Sequence, residues 1–235
     1  MINTPPARLS ILFARKADLA VIFRTGPVHA TRMILWDTKR DTFTDGQWVR
    51  HKIYTPRCAL SPNGKHLLYF AYKQFDRQGR LLGGFTALSR PPYFKALVFL
   101  PEMGTWGGSG LFIDDHHVWF RNLHPNNANW VTLPKGLTMV FHPGSHKDHI
   151  GTGLSVRPEY FVTANGERAR IAKDDMAALD LLGTKRSWSV RANEPRPEWC
   201  VVRDGCIFRR DAHGKDRLLR DLNPMKFEAI AAPYA

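Results

Sequence analysis

Cysteine is scarce, with three residues, Cys58, Cys200 and Cys206, in a chain of 235. So odd and sparse a set excludes a disulfide-stapled scaffold and points to a reducing compartment, so a cytoplasmic location is expected. Long apolar runs are missing too. The best, residues 20–23 and 96–100, fall far short of the roughly 18 needed to span a membrane. Ile11-Leu12-Phe13, followed by Arg15 and Lys16, is too short and too charged for a signal-peptide core. Acidic residues are under-represented, 21 against 34 Lys and Arg, for a formal charge of +13. Helix signals are nearly absent. Phosphate-cradling and dinucleotide-binding glycine motifs do not occur, and Gly107-Gly108-Ser109-Gly110 only approaches a nucleophile elbow in composition. These absences leave no expected cofactor and weigh against an enzyme.

What is present suits a packed core, since 43% of residues are apolar and 23% charged, a balance that excludes wholesale disorder. Apolar runs of three to seven residues, separated by Gly, Pro, Asn and Asp, predict strands and turns. They include residues 19–23, 33–36, 67–71, 94–100, 118–120, 139–141, 160–162 and 206–208. Leu19-Ala20-Val21-Ile22-Phe23 is continuous rather than alternating, which is the pattern of a strand covered on both faces. One helix is expected at residues 174–182, opened by Asp174-Asp175 and closed by Gly183. With no linker or low-complexity tract, residues 1–235 read as one domain.

Turn chemistry narrows the architecture. Cys58-Ala59-Leu60-Ser61-Pro62-Asn63-Gly64-Lys65-His66-Leu67 reads as strand, tight turn and strand, with strands expected at 56–60 and 66–71. Pro62 presets φ, and Asn63-Gly64 tolerate left-handed values. Hairpins are also expected to turn at residues 114–117, 204–205 and 211–214. The Ser61-Pro62-Asn63-Gly64-Lys65 turn resembles the hairpin of TolB-type WD40-like repeats, with Asn63 where Asp is usual. Leu35-Trp36-Asp37 is similar to the end of such a repeat. The resemblance covers residues 17–73 and implies an all-β, β-propeller-like fold. At roughly 40–45 residues per blade, the chain allows about five blades.

The surplus charge is uneven, with residues 1–100 at net +11 and the remainder at +2. Arg32, Lys39, Arg40, Arg50, Lys52 and Arg57 are the candidate binding cations, expected to converge on one rim and attract a polyanion. The competing reading is that Asp37, Asp41 and Asp45 pair with them. Trp48, Trp106 and Trp130 fall in turn-rich segments and are candidate partner-binding rings, whereas Trp36, Trp119 and Phe120 are expected in the core. His142, His146, Asp148 and His149 lie in one short loop and offer metal-ligand chemistry, but the spacing fits no zinc signature and Lys147 opposes a cation. No metal residue is therefore assigned. The expected function is a non-enzymatic binding module or scaffold for a protein or polyanionic partner. The alternatives are a metal-dependent hydrolase using the 142–149 loop, or a nucleic-acid-binding protein. No membrane partner is expected, and oligomeric state is unknown from sequence.

Overall fold

The continuous apolar runs become strands with both faces buried. In the computed structural model, which describes residues 5–26, 30–75, 81–102, 108, 110–121, 123, 125–141, 160–163, 167–170 and 196–234, the first sheet is an antiparallel meander. Its strands are β1 (Arg8–Phe13), β2 (Leu19–Thr25), β3 (Thr31–Asp37) and β4 (Thr42–Val49), in that spatial order. Alternation along β2 and β3 sends Val21, Phe23 and Met33 to one face and Ala20, Ile22, Ile34 and Trp36 to the other. All seven have no exposed surface. Full burial of a large apolar side chain contributes about 1.5–3 kcal/mol, so this sheet needs a cover on each side.

Two other sheets supply those covers. The second contains β5 (Lys52–Ile53), β6 (Ala59–Leu60), β7 (Leu67–Phe75), β8 (Leu81–Ser89) and β9 (Ala96–Glu102). Leu60, Leu67, Tyr69, Ala71 and Ala87 pack onto Val21, Phe23 and Met33. The fourth sheet is the meander β15 (Cys200–Arg203), β16 (Cys206–Arg210) and β17 (Asp216–Asp221). Cys200, Ile207 and Leu222 pack onto Phe13, Ala20, Ile22, Ile34 and Trp36. The third sheet comprises β10 (Gly110–Phe112), β11 (His117–Phe120), β12 (Thr138–Phe141), β13 (Tyr160–Thr163) and β14 (Arg168–Arg170). Its β11–β12 pair is parallel and its other pairs antiparallel. It covers the opposite face of the second sheet, where Ala59, Leu68, Leu88 and Val98 meet Leu111, Val118, Trp119, Phe120 and Val140. The four sheets therefore stack in the order fourth, first, second, third.

The protein is thus all-β. The helix expected at 174–182 lies outside the described residues, and four sheets are seen among those described. The described residues contain no helix long and apolar enough to cross a membrane. One strand expectation is corrected: residues 55–57 form a 3-10 turn, and the strand starts at Ala59. Pro56 lacks the N–H that a ladder requires.

The predicted turn at Ser61–His66 ties sheets together. Ser61 N–H donates to His66 O and Gly64 N–H to Ser61 O, both at 2.8 Å. Lys16 N–H, from the β1–β2 turn, donates to Pro62 O at 2.8 Å. Asn63 N–H donates to the Asp115 carboxylate of the β10–β11 turn at 2.7 Å. Gly64 has φ +73°, and a Cβ there would sit 2.9 Å from Leu19 Cδ1. At the other end of the first sheet, a Cβ on Gly46 would fall 1.9 Å from Pro92 O, so only glycine lets these two backbones approach. Gly64→Val combines left-handed strain on a β-branched residue with a contact against Leu19. Urea unfolding is expected to show a loss of about 2 kcal/mol or more.

Candidate functional site

Strand register builds the most distinctive polar cluster. Arg24 on β2 pairs with Arg32 on β3, which pairs with Trp48 on β4. Cross-strand neighbours on one face touch, and both guanidiniums stack on the indole, Arg24 at 5.5 Å and Arg32 at 5.6 Å from a ring centroid. Arg24 is 2% exposed and Arg32 3%. Phe227, in the segment following β17, packs on Trp48 at 5.9 Å, and Arg50 stacks on Phe227 at 4.6 Å. The indole N–H of Trp48 is buried without an acceptor.

The two buried guanidiniums are compensated differently. Arg32 meets the carboxylates of Glu228 and, at 3.8 Å, Asp45. Arg24 donates to the carbonyls of Leu222 at 3.0 Å and Asn223 at 3.1 Å, and to that of Gly26. Among the described residues no carboxylate pairs with it. Burial first, and then the neighbouring Arg32, push the Arg24 pKa below its ordinary value. Around this cluster opens a cleft of about 1420 Å³ whose lining includes Arg24, Trp48, Arg50, Lys73, Lys226 and Phe227, with Asp204 and Asp221 contributed by the fourth sheet. Comparison with known families, with curated proteins and with solved structures finds no match to this chain, so the site is read from its own chemistry.

The six cations expected on one rim do not converge. Lys39 and Arg40 lie in the β3–β4 turn, where their N–H groups donate to Asp37 at 3.1 and 2.9 Å. Arg50 and Lys52 lie beyond the other end of β4, roughly 25 Å away at about 3.3 Å per residue. Arg32 is interior. Arg57 is buried against the rings of Tyr54 and Phe70, and Lys52 sits over Tyr54 at 4.7 Å. Of the tryptophans, Trp48 lines the cleft, Trp130 is 83% exposed far along the chain, and Trp106 lies outside the described residues. So does the His142–His149 loop. Among the described residues no group of three or more His, Cys, Asp or Glu is placed to hold a metal. At the turn expected at residues 114–117, Asp114 accepts the N–H groups of His116 and His117, at 2.7 and 2.8 Å, as a turn cap, and its carboxylate also meets His117 Nδ1 at 2.8 Å.

Asp41 and Asp45 do pair, with cations of the fourth sheet rather than with Lys39, Arg50 or Lys52. Asp41 accepts from Arg209 at 2.6 and 2.9 Å and from Arg217 at 2.9 Å. Asp45 accepts from Arg220 at 2.7 Å. Burial alone would raise the Asp41 pKa, but the bonds from Arg209 and Arg217 outweigh it and hold the carboxyl below its usual range. The members of the cleft absent from the sequence reading are Arg24, Lys73, Lys226 and Phe227. Arg24 carried one signal, a charge at the end of an otherwise apolar run.

Asp41→Asn should lower stability at pH 7 by about 1–2 kcal/mol, because a charge-assisted pair is lost while Arg209 stays half-buried. A carboxyl with a lowered folded pKa stabilises above its unfolded value near 4 and loses that contribution as pH falls through the folded pKa. Urea titrations of parent and variant should therefore converge in acid. The thiols give a second expectation. Burial pushes Cys58 up to about 12 and Cys200 to about 11, so both are almost wholly protonated near neutrality and poor nucleophiles. Iodoacetamide at pH 7.5, followed by mass spectrometry, should label Cys206 before either of them in the folded protein.

Proposed function

We propose that the protein is a non-enzymatic binding module that presents the Trp48 cleft to an anionic partner. The observation that carries this reading is Arg24: a guanidinium almost wholly out of water, at the cleft wall, with no carboxylate partner among the described residues. Its positive potential is only partly offset by carbonyl dipoles, and in a low-dielectric wall that potential reaches further than in water. Arg50, Lys73 and Lys226 add further cations to the lining, while Asp41 pairs with the fourth sheet and Asp45 with Arg220 and Arg32. Trp48 and Phe227 offer apolar contact beside the cations, a pairing common at recognition sites.

The scaffold we propose is a single propeller-like domain of about five units. The series of stacked sheets, the first and second of them covered on both faces, supports that reading, as does the Ser61–Lys65 turn resembling TolB-type repeats. A reducing, cytoplasmic setting fits three unpaired cysteines.

Retention on immobilised heparin tests the anion reading. The parent protein should bind at low salt and elute as salt rises, because an electrostatic contact releases counterions. Arg50→Glu/Lys226→Glu should elute at clearly lower salt. Lys39→Glu/Arg40→Glu, at the other end of the sheet, should elute close to the parent. Flow-through of the parent at low salt would overturn the proposal and leave the charge as a solubility feature.

A further inference from the structure

The wall of the cleft is partly built by residues 223–234, an extended segment that crosses the first two sheets without joining either. Among the described residues, none from Pro224 to Tyr234 makes a main-chain to main-chain hydrogen bond. Side chains hold it instead. Phe227 rests on Trp48 and under Arg50, and Glu228 pairs with Arg32. Gln47 Nε2 donates to Ile230 O at 2.9 Å. Tyr234 Oη donates to Lys95 O at 3.0 Å and accepts from Arg90 N–H at 3.2 Å. Phe227 and Glu228 nevertheless remain 50% and 57% exposed.

This is how a short linear motif sits on a folded domain: an extended chain, a few side-chain anchors and a cationic bed. The fit is incomplete in charge. Glu228 answers Arg32, but among the described residues no carboxylate meets Arg24 in the same cross-strand row, and Lys226 adds a further positive charge to the cleft. A segment with the same aromatic anchor and more acid would match this bed better than the strap does.

We propose that the surface beneath the strap is a peptide-recognition groove. Its ligand is an extended, acidic segment of a partner protein, with an aromatic residue followed directly by a carboxylate. That segment displaces Phe227 and Glu228 and brings a further carboxylate toward Arg24. The proposal rests on reading the Trp48 cleft as the binding site, and it adds both the class of ligand and the internal competitor. Competition in cis is strong, because a tethered segment acts at an effective concentration on the order of mM. A micromolar peptide therefore gains access chiefly when the internal anchors are weakened.

The test uses the full chain and a fluorescein-labelled peptide with the sequence of residues 223–234 carrying Lys226→Glu, read by anisotropy. Phe227→Ala/Glu228→Gln loosens the strap by removing the aromatic anchor and the carboxylate on Arg32, and alters only half-exposed side chains. Circular dichroism checks that its sheets persist. The double variant should bind the acidic peptide at least ten-fold tighter than the parent does, and a peptide that also carries Phe227→Ala should bind at least ten-fold more weakly. Absence of binding to both chains, equal binding to both, or indifference to the aromatic anchor overturns the inference. So does a single-stranded oligonucleotide that displaces the peptide at lower concentration than unlabelled peptide does. Heparin retention of the parent separates the two readings: retention without peptide binding ends the peptide inference and leaves the anion reading, whereas flow-through ends the anion reading and the peptide inference that rests on it.

Discussion

A strand with no solvent face cannot fold on its own sheet alone, and β2 is such a strand. Ala20, Val21, Ile22 and Phe23 are wholly buried, two toward the second sheet and two toward the fourth. Residues 200–222 must therefore return to residues 19–37 before the core on the Ala20, Ile22 and Trp36 face is closed. The aromatic cluster marks the meeting point: Trp36 stacks on Phe43 at 5.5 Å and meets Trp199 edge-on at 5.7 Å. Non-local closure of this kind is paid in chain entropy and recovered only when both faces are covered.

The polar contacts at the edges of that seam follow from the apolar docking. Bringing the fourth sheet onto the first places Arg209 and Arg217 beside Asp41, and Arg220 beside Asp45. It also delivers the carbonyls of Leu222 and Asn223 to Arg24. A guanidinium so far from water is tolerable only when its N–H groups are all answered. Docking of the seam thus satisfies Arg24 with carbonyls, and among the described residues no carboxylate meets its charge.

Much of the strand plan was legible because burial on both faces writes itself as an unbroken apolar run. Residues 19–23 and 33–36 fall inside β2 and β3, and Gly64 and Gly205 occupy the expected turns. Strand β4 escaped because Thr42-Phe43-Thr44-Asp45-Gly46-Gln47-Trp48-Val49 mixes polar and apolar residues, and its identity depends on pairing with β3. Strand β8 carries Gly83 and Gly84, which weaken a strand signal. Trp48 was legible as a ring in a segment hard to bury, but the grouping of Arg32 and Arg50 with Lys39 and Arg40 was not resolved. Proximity along the chain is a poor guide when one strand separates two turns by its whole length.

The sequence by itself determined the all-β class, the main turns and the local surplus of positive charge, since these follow from side-chain periodicity, backbone φ preferences and composition. Which charges are neutralised was decided only in three dimensions. Asp41 and Asp45 stand among Lys39, Arg40 and Arg50 in the chain, yet Asp41 pairs with Arg209 and Arg217, and Asp45 with Arg220 and the more distant Arg32. Besides the nearby Gly26 carbonyl, Arg24 finds its acceptors in carbonyls almost 200 residues later. Coulombic and hydrogen-bonding energies depend on distance through space, and sheet packing, not chain order, sets those distances.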